Sequence, residues 1–77
     1  MMIVYGSMLC PDCVQIREDF ARREVQYEYR DIGENLLYLK EFLAIRDREP
    51  VFDEPRKVGR IGIPCIVGED GSVSLEW

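Results

Sequence analysis

The chain opens on an unbroken apolar run, Met1-Met2-Ile3-Val4-Tyr5, closed by Gly6 and Ser7. Without polar alternation, that run predicts a strand over about Met2 to Tyr5, covered on both faces like an inner strand of a sheet. The period then changes. Cys13, Ile16 and Phe20 recur at helical spacing with Val14 and Ala21 beside them, and Arg22-Arg23 place cations at the helix end that favours them. Pro11 suits the first helical position, where its missing N–H would be unsatisfied in any case. Asp12 puts negative charge in the first turn, at the positive end of the helix dipole. Val25 to Arg30 alternates strictly, with Val25, Tyr27 and Tyr29 on one side and Gln26, Glu28 and Arg30 on the other. That pattern predicts an edge strand with one covered face. Gly33 breaks it.

A second helix is predicted over about Glu34 to Arg48, with Leu36, Leu39, Phe42, Leu43 and Arg46 roughly along one face and the apolar ones packing the core. Pro50 stops it. Val51 to Arg60 is irregular, although Asp53-Glu54-Pro55 fits the opening of a short helical turn that Gly59 would close. Ile63 to Val67 reads as the third strand, and Asp70-Gly71 is the strongest hairpin signal in the chain. The fourth strand follows over Ser72 to Trp77, with Val73, Leu75 and Trp77 on one face and Ser72, Ser74 and Glu76 on the other. The expected order is therefore β-α-β-α-β-β. Its first crossover should be parallel and right-handed and its last two strands an antiparallel hairpin, giving a mixed four-stranded sheet with helices on both faces.

Composition narrows the function classes. Seventy-seven residues make one domain, 1–77, which at this size buries only about 60% of its unfolded surface. The 47% apolar content argues for a packed fold. Ten basic against 15 acidic residues leave a net charge of −5, which disfavours nucleic acid and an anionic membrane surface as partners. No run approaches the ~18 apolar residues of a membrane span, and no secretory leader pattern is present, so the expected location is cytoplasmic. Three cysteines do not make a disulfide framework. Histidine is absent, which removes Cys-His catalysis and imidazole ligation of metals together. The chemistry falls to thiols, carboxylates or backbone.

Cys10-Pro11-Asp12-Cys13 lies where the first strand hands over to the first helix. A thiolate at position 10 would meet the unsatisfied N–H groups and positive dipole of the helix start, which suits an attacking thiol. Cys13, in the first turn and nearer the core, would resolve the mixed disulfide by attacking Cys10. Half a zinc site would need further ligands, and haem attachment would need histidine where the chain has Val14. Cys65 is either a third thiol near the pair or a small buried apolar residue. Arg56, Lys57 and Arg60 either sit near Cys10 and attract an acidic group or form a solvated surface run.

Val4-Tyr5-Gly6-Ser7-Met8-Leu9-Cys10-Pro11-Asp12-Cys13 resembles the opening of glutaredoxins, which carry C-P-x-C at the end of the first strand. Gly62-Ile63-Pro64 stands where that family has T-V-P with a cis proline, and the Asp70-Gly71 hairpin follows in the expected place. The chain is most similar to the short bacterial glutaredoxin-related type. The resemblance implies a thioredoxin-like fold lacking the C-terminal third helix and a dithiol-disulfide oxidoreductase with no resident cofactor. Its substrate would be a disulfide-containing protein or a small thiol compound. Pro64 would then be cis, with Ile63 offering its backbone to a substrate chain. Asp12 stands where the family commonly has an aromatic residue. Its carboxylate opposes a thiolate nearby and would make the pair more reducing, or it serves only the helix start.

The pattern departs from the family in two places. Ser7 replaces a lysine that precedes the first cysteine, and Ser74-Leu75 stands where a G-G pair helps hold glutathione. Both weigh against a glutathione site, although glutathione stays in view as a co-substrate. They favour a thioredoxin-reductase-type donor or another dithiol. With no third helix expected to cover the sheet, that surface is either polar or a dimer or partner contact. Two other readings stay open. One is a metal or iron–sulfur module using Cys10, with or without Cys13 or Cys65, across a dimer. The other is a partner-binding domain that keeps the fold without catalysis.

Overall fold

Val4 and Tyr5, neighbours in the first strand, bury their side chains in two different clusters. The computed structural model describes residues Met1 to Trp77. Strand β1 (Met2–Gly6) lies between β2 (Tyr27–Asp31) and β3 (Cys65–Val67), and β4 (Val73–Ser74) completes the sheet order β2-β1-β3-β4. Because successive strand side chains point to opposite faces, the inner position of β1 gives it two buried faces. Val4 joins Ile16, Phe20 and Ile66, whereas Tyr5 joins Phe42, Ile45, Phe52 and Cys65.

Each cluster is completed by one helix. Helix α1 (Pro11–Arg22) buries Cys13, Ile16 and Phe20, the stripe its spacing predicts. Helix α2 (Leu36–Arg48) buries Phe42 and Ile45. A 3₁₀ turn (Pro50–Phe52) then drives Phe52 into the second cluster, edge-to-face with Phe42 at 5.8 Å between centroids. Fully burying a phenylalanine contributes about 1.5–3 kcal/mol, so Phe42 and Phe52 anchor that layer.

β1 pairs in parallel with β2 and antiparallel with β3, and β3 with β4 make an antiparallel hairpin. The result is an α/β domain with a mixed four-stranded sheet, helices on both faces and three α-helices. The third, α3 (Asp53–Val58), is an addition to the expected order. The predicted helical turn is a full helix, closed by Gly59 in the left-handed region at φ 76°. Gly59 supplies that conformation without a Cβ penalty.

Five further expectations change. The edge strand begins at Tyr27, not Val25, because Glu24 turns the chain at φ 55°. Helix α2 begins at Leu36, not Glu34, because Asn35 caps it: its side-chain oxygen accepts from the N–H groups of Leu37 and Tyr38. Leu36 and Leu43 are exposed, and the packing face is Leu39, Phe42 and Ile45. β4 ends at Ser74, far short of Trp77, since the Ser74 hydroxyl accepts from the Glu76 N–H and donates to the Glu76 carbonyl, curling the chain locally. β3 starts at Cys65, after Pro64, which has no N–H for the ladder.

Candidate functional site

Helix α1 starts on Cys10. The cysteine has an extended backbone and its carbonyl accepts from the N–H groups of Cys13 and Val14, while Pro11 takes the first helical position. No side chain caps this end. The thiol is half-buried and points toward the loop before β3, with Sγ 3.9 Å from the Ile63 carbonyl oxygen. These residues are 53 positions apart, and the fold alone brings them together.

One turn further in, Cys13 is fully buried. Its sulfur accepts from the Ser7 N–H at 3.4 Å. Burial, then the neighbouring Cys10 thiol and the Asp12 charge, push its pKa up to about 12, against the lowering effect of that N–H. The room for Cys13 is made by Gly6, whose missing Cβ would fall 2.8 Å from the sulfur and 2.8 Å from the Tyr29 hydroxyl. Tyr29 is an unexpected neighbour. Its hydroxyl is buried without a hydrogen-bond partner, and burial raises its pKa well above the ordinary tyrosine value. Arg17 lies over its ring at 4.4 Å, with its guanidinium donating to the Met8 sulfur.

The Ile63–Pro64 peptide is cis. The loop leading to it is clamped by Arg46, whose Nε donates to the Ile61 carbonyl at 2.9 Å and whose Nη2 donates to the Arg60 carbonyl at 2.7 Å. Gly62, at φ 90°, presses on Phe52: a Cβ there would come within 2.5 Å of the ring. Arg46 was legible only as a member of a helix face. The contact it makes depends on tertiary structure.

Cys10, Asp12, Ile63 and Pro64 all border one groove of about 1000 Å³. Its other walls are Ser7 and Leu9 before α1, Val51 and Pro55 beyond α2, the Arg60–Gly62 loop, and Val73 to Trp77. Pro11 starts the helix beneath that wall, and Cys13 lies behind it in the interior. Cys65 does not reach the groove. It is fully buried among Tyr5, Phe42 and Phe52, and burial pushes its pKa up to about 12. The basic cluster divides. Arg60 borders the groove, Arg56 donates to the Arg46 and Glu49 carbonyls and pairs with Asp53, and Lys57 is exposed.

Sequence reasoning missed Val73, Leu75 and Trp77 as a groove wall. Trp77 crosses to α1, where its Nε1 donates to Asp19 at 3.0 Å. The alternation from Ser72 to Trp77 was the available signal, but it suggested sheet packing rather than a wall.

No group of three or more Cys, Asp or Glu side chains converges as a metal site. No helix is long and apolar enough to cross a membrane. The architecture thus defines a compact α/β domain with a groove beside two cysteines. No family model matches the chain, and no solved structure matches it. It does match an uncharacterized protein of Haemophilus influenzae, 31% identical over 74 residues that cover 96% of this chain and 86% of that protein. The chain belongs to the family of that Haemophilus protein.

Proposed function

We propose that the chain is a thiol-disulfide oxidoreductase of thioredoxin-like topology, related to the glutaredoxins its sequence resembles. The observation that carries this reading is the half-buried Cys10 thiol at the start of α1, facing the Ile63 carbonyl across the groove with Cys13 buried behind it. An attacking thiol needs access and a positive local field, and a resolving thiol needs protection from solvent. Cys10 and Cys13 divide those requirements.

The reaction follows. The Cys10 thiolate attacks one sulfur of a substrate disulfide, the Cys10–S bond forms, the S–S bond breaks, and the departing thiolate takes a proton from solvent. Cys13 then loses its proton and attacks the Cys10 sulfur, closing a Cys10–Cys13 disulfide and releasing the second substrate thiol. Two electrons pass from the dithiol to the substrate. A reductase of thioredoxin-reductase type or a small dithiol restores the pair, and glutathione is the competing donor. Ile63 and Pro64 shape the substrate side of the groove, and Asp12 tunes the pair. A cytoplasmic setting, where thiols stay reduced, fits this role.

The test uses hydroxyethyl disulfide with dithiothreitol as donor. Cys10→Ser should reduce turnover to the buffer rate, whereas reduced Cys13→Ser given hydroxyethyl disulfide with the donor removed should accumulate a mixed disulfide on Cys10, detected by intact mass. Wild-type turnover in Cys10→Ser would overturn the assignment.

A further inference from the structure

The groove beside Cys10 combines large exposed apolar side chains with charged ones. Leu9, Val51, Ile61 and Trp77 are large apolar side chains left exposed, and all four border it. Leu9 is 95% exposed, one residue before the reacting cysteine. At about 1000 Å³ the space lies at the upper end of small-ligand sites, so it accommodates several residues of a peptide. Exposed apolar surface gathered around one reactive group marks a contact site for a protein chain.

Charge states which chain. The groove is bordered by two carboxylates, Asp12 and Glu76, and one cation, Arg60. Neither carboxylate belongs to any of the ion pairs the protein makes. Arg60 belongs to none of those ion pairs either and also lines a second depression with Ile32 and Leu39, so carboxylates outnumber cations two to one along the groove. Trp77 is fixed beside Glu76 by its bond to Asp19, itself paired with Arg22, so the apolar wall and a free carboxylate come together. Glutathione disulfide is a net anion with no apolar side chain and matches neither property.

We infer that the groove takes a protein disulfide whose reacting cysteine is flanked by an apolar residue and a lysine or arginine, in preference to glutathione disulfide. The apolar side chain packs among Leu9, Leu75 and Trp77, and the cation faces Asp12 and Glu76. This inference rests on the dithiol reading above and names its substrate class.

The experiment uses the full chain carrying Cys13→Ser, so that each attack by Cys10 stops at a mixed disulfide read by mass. The probes are symmetric disulfides of three short peptides: Leu and Lys flanking cysteine, Leu and Glu, and Ser and Lys. Glutathione disulfide and hydroxyethyl disulfide complete the set. The Leu/Lys peptide should react faster than each of the other peptides and than glutathione disulfide by at least about fivefold at low ionic strength. The Lys-over-Glu ratio should fall in high salt and in Glu76→Gln. The Leu-over-Ser ratio should fall in Trp77→Ala. Smaller preferences, or glutathione disulfide as the fastest probe, would overturn the substrate class while leaving the dithiol intact if hydroxyethyl disulfide still reacts. Failure of Cys10 to react with hydroxyethyl disulfide would overturn both.

Discussion

Gly6 and Cys13 meet at the floor of the site: a Cβ on residue 6 would sit 2.8 Å from the Cys13 sulfur. The last residue of β1 and the first turn of α1 are therefore packed as one unit, and the Ser7 N–H that follows holds the same sulfur. Gly6→Ala has to displace Cys13 or Tyr29. Overpacking of this kind costs about 1–3 kcal/mol. The urea midpoint of the reduced protein should fall accordingly, and the mixed disulfide on Cys10 should persist longer because Cys13 is moved from its line of attack. An unchanged midpoint would mean that the strand yields at no cost.

The Tyr29 hydroxyl lies against the same point and has no partner. A buried hydroxyl without a hydrogen bond carries a desolvation penalty of about 1–3 kcal/mol. Tyr29→Phe should therefore raise stability, by about 1 kcal/mol after some relaxation, in urea titrations of the reduced form. A loss of stability would show that the hydroxyl bonds to the Cys13 sulfur in solution.

Asp12 faces the groove in the first turn of α1, and its charge acts against a thiolate on Cys13. Removing that charge stabilises the anionic form of the reduced pair, the form that attacks and that the disulfide lacks. Asp12→Asn should raise the reduction potential by roughly 10–30 mV, measured against a dithiothreitol or glutathione redox buffer. An unchanged potential would leave Asp12 with only its place at the helix start.

Alkaline pH should destabilise the reduced protein. The pKa values of Cys13 and Cys65 are both pushed up to about 12 in the fold, mainly by burial, from an ordinary value of 9.0. A raised thiol pKa means that the fold favours the neutral form. That stability is complete below pH 9 and is lost as pH rises toward 12, with a slope of up to about 1.4 kcal/mol per pH unit for each group. Urea midpoints between pH 8 and 11 should fall, and Cys65→Ala should make the fall shallower. A flat profile would mean that these thiols ionise as easily folded as unfolded.

Much of the layer order was legible because β1, α1 and the Asp70-Gly71 hairpin obey local rules. Val4 and Tyr5 carry no alternation, and their separation into two clusters is what an inner strand produces. Cys10 at the start of α1 was legible for the same reason, since Pro11 marks the first helical position. The errors fall where tertiary contacts decide. Leu36 and Leu43 carry the right residue type at approximate helical spacing, yet the Asn35 cap and Phe52 settle which face of α2 is inward. Ser74 ends β4 through a hydroxyl contact that strand propensity does not register. The Arg46 clamp and the Trp77–Asp19 bond join residues far apart in the chain, so no local pattern announces them.

The central claim is that Cys10 and Cys13 form one redox couple from which Cys65 is excluded. Mild oxidation of the reduced protein, alkylation of the remaining thiols and peptide mapping test it directly. The account predicts a single Cys10–Cys13 disulfide that dithiothreitol reverses, with Cys65 alkylated after unfolding. A Cys65 disulfide, or three free thiols under conditions that oxidise a small dithiol, would contradict it.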